Sequence, residues 1–198
     1  MTANSNIYVL CLDGLKVIEQ EANGTFTEST LLPLSTGFQY FVISKDERML
    51  IFGSSFSVQI FLKNGANYLL DQTVPKGIDL KGLALSADEK ELLLCSSSLS
   101  IYKHNGASFV FSQSIVLGSS YDYVNFINDL VEVHGSSSQL KFYEFNGTEY
   151  VPTFNIQTTS TFLNGISILE DGHEIMVAGD SQNIFSYRFA NYTFEPSE

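Results

Sequence analysis

The chain has 198 residues, with 22 Asp and Glu against ten Lys and Arg, and no tryptophan. A net charge of −12 with no basic cluster repels phosphate backbones and anionic headgroups, so neither nucleic acid nor membrane is expected as a partner. Hydrophobic residues at 44% and charged residues at 16% fit one globular domain, and no apolar run approaches the length of a membrane span.

The N-terminal stretch "MTANSNIYVLCLDG" lacks a basic region followed by a long apolar run and does not read as a secretory signal. Cys11 lies in the first strand-like run and Cys95 in a later one, with no CxxC spacing. Both read as small buried hydrophobes, which favours a reducing, cytoplasmic setting.

Residues 1–34 contain three strand signals and one Asn-Gly turn. Residues 35–76 contain four: an alternating segment "FQYFVIS" (strand A), a polar turn, "MLIF" (B), a small-residue turn, "FSVQIF" (C), Asn-Gly, and a last strand (D). The same order recurs over 77–117, 118–158 and 159–198. Strand A is "LKGLALS", "YDYVNFI" and "LNGISIL" in turn, and period-two alternation marks each as a strand. Pro152 falls in the fourth D segment and places D at a sheet edge, because proline has no N–H to donate.

The period is 41 to 44 residues. Asn23, Asn64, Asn105 and Asn146 each open an Asn-Gly pair, which predicts a two-residue type I′ hairpin with positive φ at both positions. Phe61, Tyr102, Tyr143 and Tyr187 form one aromatic column, and Tyr68, Phe109, Tyr150 and Phe194 another. Asp46, Asp88, Asp129 and Asp171 form a third, each expected to cap its own A–B turn, with Leu50, Leu92, Val133 and Ile175 four residues later. Four short antiparallel strands per 41 to 44 residues predict β-propeller blades.

The segments "LALSADEKELLLCSSSLSIYKHNG" and "ISILEDGHEIMVAGDSQNIFSY" resemble repeats of the WD40 and YVTN-like propeller superfamily. The Trp-Asp dipeptide and an opening Gly-His pair are both absent. The resemblance therefore implies the fold and no active-site residue. The expected architecture is all-β: a single domain over 1–198, with about five blades, the first lacking its inner strand. The ring is closed or an open arc completed by a partner or a second copy.

No chemistry is legible in the sequence. The histidines His104, His134 and His173 occupy three different kinds of position, so no metal site is expected, nor any cofactor or catalytic residue. Asn23, Asn146 and Asn191 sit in glycosylation patterns, but turn formation explains them. The expected function is a non-enzymatic protein-interaction scaffold. Its contact surface is expected on the face carrying the D–A and B–C loops, at Phe38, Tyr40, Lys76, Lys81, Tyr121, Asp122, Tyr123 and Phe162. Aromatics there give large contact area at low entropic cost. The rival readings are a lactonase-like hydrolase, as some YVTN-like propellers imply, and a secreted glycan-binding propeller.

Overall fold

The computed structural model describes residues 7–11, 13–21, 23–34, 37–75, 79–117, 121–127, 129–158, 160, 163–168, 174–180, 184–190 and 193–196. All the regular structure among them is β. Blade 1 is a three-stranded sheet of β1 (Ile7–Cys11), β2 (Gly14–Gln20) and β3 (Phe26–Pro33), with no counterpart among the described residues of the strand that opens the other blades. Blade 2 comprises β4 (Phe38–Ile43), β5 (Met49–Ser54), β6 (Ser57–Asn64) and β7 (Asn67–Pro75). Blade 3 comprises β8 (Gly82–Leu85), β9 (Glu91–Cys95), β10 (Ser98–His104) and β11 (Phe109–Val116). Blade 4 comprises β12 (Tyr121–Ile127), β13 (Leu130–Gly135), β14 (Ser137–Phe145) and β15 (Tyr150–Gln157). Blade 5 comprises β16 (Leu163–Ile168), β17 (Glu174–Gly179), β18 (Ile184–Ala190) and β19 (Thr193–Pro196). Neighbouring strands pair antiparallel in sequence order, which makes this a five-bladed β-propeller fold.

The strands form two compact units, Met1–Asp79 with blades 1 and 2 and Leu80–Glu198 with blades 3 to 5. In the first, Leu15 and Leu32 of blade 1 pack with Leu50, Phe52, Phe61 and Tyr68 of blade 2. Phe52 is fully buried, with the rings of Phe38, Phe41 and Phe61 centred 5.7, 6.3 and 5.7 Å away. In the second unit, one cluster joins blades 3 and 4 through Leu93, Cys95, Tyr121, Val131 and Val133. Another joins blades 4 and 5 through Ile127, Phe142, Ile156, Leu163 and Val177. Each such side chain, fully buried, contributes about 1.5–3 kcal/mol, so these clusters outweigh any turn contact.

The aromatic columns keep their register. Leu50, Leu92, Val131 and Ile175 of the second strands stand opposite Phe61, Tyr102, Tyr143 and Tyr187. Tyr68, Phe109 and Tyr150 are buried at the starts of the last strands. Pro152 sits on β15, at the sheet edge, as its missing N–H demands.

Two sequence expectations are corrected. In blade 2 the pair Asn64↔Asn67 leaves Gly65 and Ala66 as the central turn residues, and only Gly65 has positive φ, at 65°. Asn therefore precedes the turn rather than entering it, and a glycine at the first central position matches type II′. In blades 3 and 4 the Asn side chain closes the loop instead. Asn105 Oδ1 accepts the N–H groups of Ala107 and Ser108, and Asn146 Oδ1 those of Thr148 and Glu149.

The second correction concerns the A–B turns. In blades 2 and 3 they match. The Ser44 hydroxyl donates to Asp46 Oδ1 at 2.9 Å and the Ser86 hydroxyl to Asp88 Oδ1 at 2.8 Å. Glu47 and Glu89, one residue on, take left-handed φ of 57° and 61°. In blade 4, however, Ile127 pairs directly with Leu130. Its connection is two residues long, so Asp129 is no equivalent of Asp46, and Val131 rather than Val133 stands with Leu50 and Leu92. Asp171 lies outside the described residues.

Candidate functional site

The residues expected to make contacts fall in both units. Phe38 packs against Phe52 and is half-buried, as is Tyr40 at the start of the same strand. Lys81 donates its backbone N–H to the Cys95 carbonyl at 2.8 Å. Lys76 and Phe162 lie outside the described residues. Of the blade 4 trio, Tyr123 is 44% exposed and Asp122 half-buried, whereas Tyr121 is only 1% exposed. Tyr121 is a packing residue, with the Lys141 ammonium 4.9 Å above its ring, and cannot serve as a surface contact.

Beside Asp122 and Tyr123 lies a pair that sequence reasoning missed. Val131 and Val133 of β13 face blade 3, so the alternating residues Glu132 and His134 face the opposite side of the sheet. Glu132 is fully buried and His134 is 1% exposed. His134 Nδ1 lies 2.9 and 3.2 Å from the two Glu132 oxygens, and Asn125 Nδ2 donates to Glu132 Oε2 at 3.3 Å. The Glu132 carboxyl and the Nδ1 nitrogen share this hydrogen bond, and Nε2 lies on the far side of the ring. Nε2 is buried without a partner. The Tyr123 ring stacks on the imidazole at 4.7 Å and 11°. Ser136 donates to Asp122 Oδ2 at 3.0 Å beside them.

A comparison of blades exposes how unusual this is. The register puts Ile51, Leu93 and Met176 where blade 4 has Glu132, and Gly53, Cys95 and Ala178 where it has His134. The readable signal was Glu-x-His within a strand, which places both side chains on one face.

The other end of blades 3 and 4 holds a cleft of about 570 Å³. Blade 3 contributes Ser86, Ala87, Asp88 and Glu91, and blade 4 contributes Phe126, Asp129, Glu144, Phe145 and Tyr150. The turn of blade 4 between Ile127 and Leu130 is two residues shorter than the blade 3 turn between Ser86 and Glu91, which leaves a recess there. The chain's own cation already uses this lining: Lys103 Nζ lies 3.7 Å from the Phe145 ring centroid and 3.3 Å from Glu91 Oε1. Tyr150 donates its hydroxyl to Glu91. Burial, and then that hydrogen bond, push the Tyr150 hydroxyl's pKa well above the usual tyrosine value. The Ser86 hydroxyl and the Lys90 N–H hold the Asp88 carboxyl below the ordinary range. Asp129 and Glu144 are exposed. No metal-binding group of three or more His, Cys, Asp or Glu occurs among the described residues.

No protein family matches this sequence, and no curated protein does. Solved structures do. Over its full length the chain is similar to a protein of Bacteroides uniformis named as a "putative 6-phosphogluconolactonase", at 13% identity and TM-score 0.77, covering 68% of that chain. A functionally unknown protein from Desulfotomaculum acetoxidans aligns with 98% of the chain at 17% identity and TM-score 0.78, with 66% of it covered. Dihydro-heme d1 dehydrogenase NirN aligns with 96% at 15% identity and TM-score 0.68, with 42% of it covered. What is shared is the fold. The chain spans about two thirds of the first two relatives and under half of the third. At such identities the fold carries no activity with it.

Proposed function

We propose that this chain is a non-enzymatic interaction propeller of the WD40 and YVTN-like kind, whose partner docks a basic segment into the cleft of blades 3 and 4. The observation that carries this reading is Lys103, an ammonium resting on Phe145 against Glu91. A cation over an aromatic face beside a carboxylate is the arrangement that a partner's Lys or Arg would repeat. Asp129 and Glu144 offer further carboxylates on the same cleft, and a net charge of −12 steers cationic partners towards it.

The test is a titration of a fluorescent Lys- and Arg-rich peptide. Saturable binding is expected, weakened about tenfold by Glu144→Lys, roughly 1.4 kcal/mol, and weakened again by salt. Binding indifferent to Glu144→Lys and Asp129→Lys would overturn the reading. Two further contact patches are proposed at the D–A and B–C ends of the strands, Phe38 and Tyr40 in the first unit and, separately, Lys81, Asp122 and Tyr123 in the second.

A hydrolase is the second reading. It is favoured by the carboxylate-oriented base His134 and by a fold neighbour named for lactone chemistry. Turnover of a sugar lactone that disappears in His134→Gln would establish it in place of the first.

A further inference from the structure

We propose that Asn105 is a self-modification site, whose side-chain amide is hydrolysed by the protein's own turn through a cyclic imide. The Asn-Gly pair occurs at Asn23, Asn64, Asn105 and Asn146, and only Asn105 is preceded by a histidine. The backbone N–H of Gly106 donates to His104 Nδ1 at 3.2 Å. A backbone N–H can only donate, so that ring nitrogen is the acceptor. Asn105 Oδ1 takes the N–H groups of Ala107 and Ser108, both at 3.0 Å. The imidazole is held by the Phe109 ring, centred 5.0 Å away at 70°.

These contacts supply what the reaction needs. The glycine nitrogen becomes a nucleophile as its proton leaves, and His104 Nδ1 is placed to take it. As the bond from Gly106 N to Asn105 Cγ forms, negative charge gathers on Oδ1, where two N–H groups already point. The Cγ–NH2 bond then breaks, the leaving nitrogen takes the proton back from His104, and ammonia departs from a succinimide. Water opens that ring at either carbonyl to give aspartate or isoaspartate. Asn105 and Gly106 are exposed, and a Cβ placed on Gly106 meets nothing within 4 Å, so water reaches the ring. The sibling turns hold fewer of these parts. Asn146 Oδ1 takes the N–H groups of Thr148 and Glu149, but Phe145 stands where His104 does. Asn23 Oδ1 takes only the N–H and hydroxyl of Thr25. Asn64 makes no side-chain hydrogen bond among the described residues. The Asn105 site is separate from the cleft and does not rest on the cationic-partner reading.

The experiment is incubation of the full folded chain at neutral pH, followed by peptide mass spectrometry that separates asparagine, aspartate and isoaspartate at each Asn-Gly turn. Asn105 is expected to convert at least about tenfold faster than Asn146, the difference a positioned base makes. His104→Phe keeps a ring against Phe109 and should bring Asn105 down to the Asn146 rate, with the other turns unchanged. His104→Gln, which keeps an acceptor but is no base, should do the same. Acceleration at all the turns would mark a variant that has lost the fold, and the other variant then decides. In urea the rates should converge, since the effect needs the folded turn. Asn105 no faster than Asn146, Asn64 in the lead, or an Asn105 rate indifferent to both substitutions would overturn the proposal. So would a lead that survives in urea, because sequence alone would then explain it.

Discussion

Blades 3 and 4 are built on one repeat and differ in two places. Blade 3 closes its first hairpin with a four-residue turn between Ser86 and Glu91, wired by the Ser86 and Asp88 side chains, and fills its second strand with Leu93 and Cys95. Blade 4 closes the same hairpin in two residues and places Glu132 and His134 on the second strand. Where the two blades agree, the residues pack. Where blade 4 departs, it opens a cleft at one end and buries a polar pair near the other. In a repeat fold, departure from the repeat is the more informative signal, because packing demands are nearly the same in every blade.

The comparison can be broken most severely at Tyr121. Truncation of this buried ring to alanine should cost about 3–5 kcal/mol in urea unfolding, while Tyr123→Ala should cost under about 1 kcal/mol. Equal losses would mean that burial does not separate packing from site in this blade. Gly135→Ala comes next. A Cβ there would lie 2.5 Å from the Asp122 backbone nitrogen, and about 1–3 kcal/mol of overpacking is expected, moving Asp122 and Tyr123 with it.

In blade 3, Asp88→Asn should cost about 1 kcal/mol or less, since the turn is exposed. Its folded pKa is depressed, so its stabilisation is present above about pH 4 and fades as pH falls through the folded value. The asparagine variant should therefore flatten the acid limb of the melting curve. The smallest effect has the opposite sign. Glu89→Gly relieves a left-handed φ of 61° and should stabilise by about 0.5 kcal/mol, with no counterpart among the described residues of blade 4.

Much of the fold was legible because it repeats. Tyr68, Phe109 and Tyr150 recur at fixed steps and take the same buried place. The turns were less legible. Asn-Gly is compatible with several hairpins, and whether Asn precedes or enters the turn depends on strand register, which the dipeptide does not encode. Asp129 was misassigned because a two-residue shortening of one turn is offset by extra residues before β14, which leaves the overall period intact. The polar pair was hidden for a different reason: Glu132 and His134 occur once, and periodicity is blind to single events. Nor could the cleft be seen, since Asp88 and Glu144 are distant in sequence and meet only across two blades.

The most direct test is amide chemical-shift mapping of the full chain with a Lys- and Arg-rich peptide at low salt. The account predicts saturable shifts at Asp88, Glu91, Asp129, Glu144 and Tyr150, with Tyr123 and Ser136 unmoved. Shifts confined to Phe38, Tyr40, Lys81, Asp122 and Tyr123, or none at all, would contradict it.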